Sequence, residues 1–285
     1  MHTLRDHYRT TERWSPVLIR FSVASLLLLA MALIGLVVDP RIISGAPAWL
    51  KPAKFGASGA VYLFTLAWMV RDLPETRTLR VASRLIAWII VGETVLIGIQ
   101  AARGTTSHFN IESALNTAIF SAMGLGIATV WVMSAVLFWL HARTPATDRA
   151  MALALRLGLV LNILGAGVGW TMTQPRPAQL DAMRRGEHPF VAGSHTIGGP
   201  DGGAGMPITR WSAEYGDLRI PHFVGMHALQ LLPLLLLGLR SVRVARDDGV
   251  DRGIVWMAAA ACAALFFAAL LQAMHGHPLF PPPVT

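Results

Sequence analysis

Apolar residues run along this chain in seven long blocks, with the polar residues gathered between them. The blocks extend approximately from Val17 to Val38, Gly56 to Val70, Arg84 to Ala101, Ala114 to Leu140, Met151 to Met172, Pro221 to Leu239 and Gly253 to Met274. A hydrocarbon core about 30 Å thick takes about 20 helical residues to cross. The pattern therefore predicts an all-α, polytopic membrane protein with seven transmembrane helices. The second block is short, but Pro52 suits the first turn of a helix, and a start there lengthens it to a full span. No internal repeat is visible, so residues 1–285 read as a single transmembrane helical domain. The longest connection, residues 173–220, joins the fifth and sixth helices. It mixes Gly199, Gly202, Gly203 and Gly205 with Phe190, Trp211 and Tyr215, a composition that predicts an ordered cap within that domain.

Composition agrees with the pattern. Of 285 residues, 54% are hydrophobic and 14% charged, against about 25% charged in an ordinary soluble domain. The net charge of +8 does not point to nucleic acid, because the cations sit in short clusters between apolar runs. They carry a topological signal instead. With the N-terminus inside, fifteen of the 24 basic residues fall in inner loops, Arg5, Arg9, Arg13, Arg243 and Arg246 among them. Short cytoplasmic loops carry such an excess, which predicts an N-in, C-out protein of a bacterial inner membrane with the 173–220 loop outside. The first block exceeds the roughly 7–15 apolar residues of a cleavable signal, so an uncleaved helix is expected. One cysteine, Cys262, excludes an internal disulfide or a cysteine-based cluster.

Histidine is distributed oppositely to arginine. In this frame His108, His188, His195, His222, His227, His275 and His277 all lie outside or in the outer half, which directs attention to an outer-face site. The sixth helix opens with His222, His227 and Gln230. His222 and His227 are about 140° apart around a helix axis and about 7.5 Å apart along it, too divergent to chelate one ion together as an i, i+4 pair does. His227 shares a face with Gln230, and Pro233 frees the carbonyl of Leu229 nearby. His108 and Glu112 precede the fourth helix and would meet if its first turn reached back to His108. Glu93 lies mid-span in the third helix, where an ionisable group marks a functional position facing protein; the alternative is a structural acid bonded to Asn162, Asn116 or Gln272. The only two lysines, Lys51 and Lys54, open the second helix, and Gly165, Gly167 and Gly169 with Asn162 form a small-residue face suited to close packing.

These residues assemble into a functional expectation. The leading reading is a membrane oxidoreductase dependent on haem b or a divalent metal, with His108, His222 and His227 as ligands. Glu93, Glu112 and Asp217 would be acid–base groups, and Lys51, Lys54, Arg103, Trp211, Arg219 and Gln230 would contact ligand. Bis-histidine haem ligation fits one histidine from the link after the third helix and one from the sixth. The alternative is a non-enzymatic receptor or carrier for a small anionic or lipid ligand, and a second alternative is a metal-dependent hydrolase using carboxylates such as Asp201 and Glu214. The partners expected are the lipid bilayer and a small-molecule or lipid ligand. A retinal protein is excluded by the absence of lysine from the seventh helix, and a stacked two-haem conduit is disfavoured because His141, at a helix end, is the one histidine at inner depth.

Overall fold

The computed structural model describes residues 15–242 and 247–280; Arg5, Arg9, Arg13, Arg243 and Arg246 of the orientation argument lie outside them. In chain order the elements are α1 (Pro16–Val38), a hairpin of β1 (Ile42–Ile43) and β2 (Ala46–Pro47), α2 (Leu50–Val70), α3 (Arg77–Ala102) and α4 (Ala114–Arg143). Then follow α5 (Arg149–Met172), a short α6 (Pro177–Arg184), β3 (Thr196–Ile197), β4 (Gly216–Asp217), α7 (Arg219–Val242) and α8 (Asp248–Met274). Seven of these helices are long and apolar enough to cross a membrane. Leu27, Ile34, Leu125, Met257 and Leu265 are among many large apolar side chains left more than half exposed. Such a surface suits lipid and would be a liability in water.

The helix starts follow from short polar side chains. Thr76, Ser113, Asp148 and Asp247 each cap a helix by accepting a backbone N–H, from Leu79, Asn116, Met151 and Val250 respectively. The Ser113 cap corrects one expectation: α4 begins at Ala114, so His108 and Glu112 sit in the preceding link and not on the helix. α3 and α8 begin several residues before their apolar blocks, since a capped polar first turn continues the helix beyond the hydrocarbon span.

The chain divides into two compact units, residues 1–144 and 145–285. In the first, α1 and α2 pack closely through small residues. The Ser22 hydroxyl donates to the Ala60 carbonyl across the pair (2.8 Å), and a side chain at Gly56 would strike the backbone of Leu29 at 2.9 Å. Tyr62 of α2 hydrogen-bonds Ser134 of α4 (3.0 Å). Where the β1–β2 hairpin meets α3, Arg41 donates to the terminal carbonyls of Ala101 and Ala102, closing that helix's C-terminus. Arg41 is itself held by Asp39, which also accepts from the Trp49 indole (2.7 Å). The hydrogen bonds from Arg41 and Trp49 hold the Asp39 carboxyl well below its usual range.

In the second unit α5 and α7 cross with backbone nearly touching backbone at Gly165 and Gly225, as the small-residue face predicts. Asn162 donates to the Met226 carbonyl across this seam (3.0 Å). At the end of the unit carrying the long loop, β3 pairs antiparallel with β4, Thr196 opposite Asp217. Gly216 lies against the Ala273 backbone of α8, where any side chain would collide. The loop is thus tied to the helices at several points. Ser194 N–H bonds the Met172 carbonyl, Leu218 N–H bonds the His195 carbonyl, and Gln179 exchanges two hydrogen bonds with the backbone of Gly193.

Candidate functional site

The second unit gathers three of the histidines. His222 lies on the first turn of α7, and its Nδ1 is 2.8 Å from the carbonyl of Gly165 on α5. Gly169, one turn on, lies beside the ring, where a Cβ would stand in ordinary contact at 3.9 Å. A carbonyl only accepts, so Nδ1 carries the hydrogen and Nε2 of the neutral ring presents a lone pair. His227 repeats the arrangement within α7: Nδ1 bonds the Phe223 carbonyl (2.9 Å), and the ring stacks on Phe223 at 3.9 Å between centroids. Trp211 from the long loop meets the other side of this aromatic group, 5.5 Å from Phe223. His195 of the loop and His227 both lie within electrostatic range of His222. Gln230 follows His227 at one turn's distance, on the face expected for it.

His195 is fixed by a carboxylate that the sequence offers only as one acid among several. Asp201 accepts from His195 Nδ1 (2.8 Å), from the backbone N–H groups of His195 and Thr196, and from the hydroxyls of Ser194 and Thr196. Burial raises the Asp201 pKa, but the hydrogen bond and charge of His195, with the Ser194 hydroxyl, outweigh it and hold the carboxyl far below its ordinary range. A depressed native pKa contributes stability that is present above the unfolded value, about 3.9, and lost as pH falls through the native one. The loop is therefore expected to keep its protease resistance down to the ordinary carboxylate range and to lose it only in stronger acid. Asp201→Asn should give a loop cleaved readily at neutral pH as well; equal resistance of the two proteins would overturn this role.

Asp217 and Arg219, expected as a catalytic acid and an anion-binding residue, are bound to one another. Arg219 donates to both oxygens of Asp217 (2.9 and 2.6 Å) and to the Arg210 carbonyl, and Asp217, 1% exposed, also accepts from the N–H of Ser212. This pair shapes the entry to α7.

The remaining expected residues belong to the first unit. Gln100, fully buried, donates to Asn116 (3.1 Å) and to the Thr106 carbonyl. Arg103 donates to both Gln100 and Asn116, resting an exposed side chain on a buried amide pair. His108 Nδ1 lies 3.0 Å from the Ser107 hydroxyl, and its ring is tilted against Phe55, 5.7 Å away. Asn110 ties down the same link through Thr105 and Thr106, and accepts from the N–H of Glu112, whose side chain is exposed. Lys51 and Lys54 are half-buried on the first turn of α2. Glu93 is buried, and neither of its oxygens has a hydrogen-bond partner among the described residues. Of the three amides weighed as its partners, Asn116 shares this unit, and it accepts from Gln100 and Arg103.

Among the described residues no three histidine, cysteine or carboxylate side chains converge as a metal-binding group. The His195–Asp201 pair is the part of the site that sequence reading missed; its signal was Ser194-His195-Thr196 followed by Pro200-Asp201-Gly202, a turn that folds the acid back on the segment before it. No known protein family, curated protein or solved structure matches this chain.

Proposed function

We propose that the chain is a multi-pass protein of a bacterial inner membrane, N-in and C-out, acting as an oxidoreductase with haem b or a single metal ion held by histidine near the outer surface. The observation that carries this reading is the pair on α7: His222 and His227 each commit Nδ1 to a backbone carbonyl. Metal-ligating histidines are oriented in the same way, with the outer nitrogen bonded to protein and the other turned to the metal. His222 is the stronger ligand candidate, because its anchor comes from a second helix. Such a group would supply one-electron chemistry; the chain would supply a fixed imidazole, the Trp211–Phe223–His227 aromatic wall, and a loop tied over the helix ends.

The test is an absorption spectrum and metal analysis of the purified full-length protein. A Soret band, or about one metal ion per chain, is expected. Both should fall in His222→Ala and persist in a His275→Ala control. A colourless, metal-free protein would end the redox reading. The binding-protein reading, supported by the two half-buried lysines of α2 and by Arg103 on its amide pair, would then be the one to pursue with anionic lipids and small organic anions.

A further inference from the structure

Glu93 differs from every other acid described. It is 4% exposed, and it sits nine residues before the end of α3, about 13.5 Å along the axis. Both carboxyl oxygens are buried without a hydrogen-bond donor among the described residues. Gly126 of α4 leaves the space in front of it open; a Cβ there would stand 3.7 Å from Oε1 and 3.0 Å from Ile89. The polar side chains near it on α3 are spent elsewhere, Thr94 on its own helix's Ile90 carbonyl and Gln100 on Asn116. One charge acts on it, that of Lys51 on α2.

Lys54 is one turn from Lys51; Arg20 on α1, and His141 and Arg143 on α4, lie toward the far ends of their helices. A carboxylate anion in such a place forgoes all hydration and every hydrogen bond, at a cost of several kcal/mol. A neutral carboxylic acid loses far less. The site therefore favours uptake of a proton onto a carboxylate oxygen, with the Lys51 charge as the countercharge felt once the proton leaves.

We propose that Glu93 is an exchangeable proton-binding site inside the first unit. The carboxyl and its surroundings belong to that unit, so the proposal stands apart from the histidine reading. No redox partner is required: one O–H bond forms at Glu93 as one O–H bond of a hydronium ion breaks, and the reverse.

Infrared difference spectroscopy on the full-length protein in phospholipid vesicles tests it. Wild type should show a protonated-carboxyl carbonyl band that shifts in D2O, and the isosteric Glu93→Gln variant should lose it. A second readout needs no variant: dicyclohexylcarbodiimide, which attacks protonated carboxyls in apolar surroundings, should label Glu93 in peptide maps and leave exposed Glu112 unlabelled. Absence of both band and adduct would mean that Glu93 stays ionised and would overturn the proposal.

Discussion

Replacing Arg240 by alanine is expected to cost the second unit about 3–5 kcal/mol of stability, the range for breaking a buried ion pair on one side. Arg240, in the last turn of α7, donates through Nε to Asp251 of α8 (2.6 Å) and through both terminal nitrogens to Asp148 (2.6 and 3.1 Å). Its side chain is 10% exposed and that of Asp251 1%, whereas Asp148 is 45% exposed. One guanidinium thus joins three helix ends: the N-cap of α5, the C-terminus of α7 and the first turns of α8. Each charge also has the sign its helix end favours.

Burial decides the ranking of variants here. Without Arg240, Asp251 would keep its charge in a dry site facing lost hydrogen bonds, while Asp148 could turn to water. Asp148→Asn should therefore cost much less, within the roughly 0–1 kcal/mol of a solvated pair plus a fraction of its cap. Arg240→Lys should fall between, because an ammonium cannot serve both carboxylates in the planar, bidentate way. Arg240→Met combined with Asp251→Leu should recover much of the loss, since apolar isosteres of a buried pair are often neutral. Thermal unfolding in one detergent, followed by a fluorescence probe of helix packing, would order the four. An Arg240→Ala protein no less stable than Asp148→Asn would show that the clamp carries no stability.

That clamp also shows where a sequence stops being readable. The seven apolar spans are legible because hydrophobicity over about 20 residues is a local property, and the observed helices contain the blocks almost throughout. Helix ends are legible only where a cap is recognised: Ser113 starts α4, and this leaves His108 and Glu112 off the helix. The small-residue face of α5 was legible as a packing surface, but its partner on α7 was not. Pairings across the chain leave no local trace. Arg240 finds Asp148 at a separation of 92 residues and His222 finds Gly165 at 57, and in a count of loop charges Arg240 is merely one more inner cation. The candidate site follows the same division. The sequence expects histidines to gather outside from a count of loop charges; which ring nitrogen His222 or His227 holds in reserve depends on a carbonyl supplied by another helix or another turn.

The seam behind His222 is expected to be as intolerant of volume as the clamp is of lost charge. A Cβ on Gly165 would stand 2.6 Å from the Met226 nitrogen and 2.7 Å from Gly225, and one on Gly225 would stand 2.6 Å from the Gly165 Cα. Each of these neighbours is backbone, so no side chain can rotate away and the helices themselves must separate. Overpacking alone costs about 1–3 kcal/mol, occasionally more. Here the separation also stretches two interhelical hydrogen bonds, Asn162 to the Met226 carbonyl and His222 to the Gly165 carbonyl, each of which contributes about 1 kcal/mol. Gly165→Ala should thus lose about 3–5 kcal/mol, and Gly165→Val should fail to fold. Gly253→Ala on α8 is the control: its added methyl meets nothing within 4 Å among the described residues, and replacing a helical glycine by alanine should stabilise by up to about 1 kcal/mol. Melting temperatures of the two alanine variants should move in opposite directions. Freed of the Gly165 carbonyl, His222 in Gly165→Ala should also lose its fixed tautomer, read as a change in the ring nitrogen chemical shifts of labelled histidine. A variant with wild-type stability and an unaltered His222 signal would mean that α5 and α7 have room to spare at this crossing.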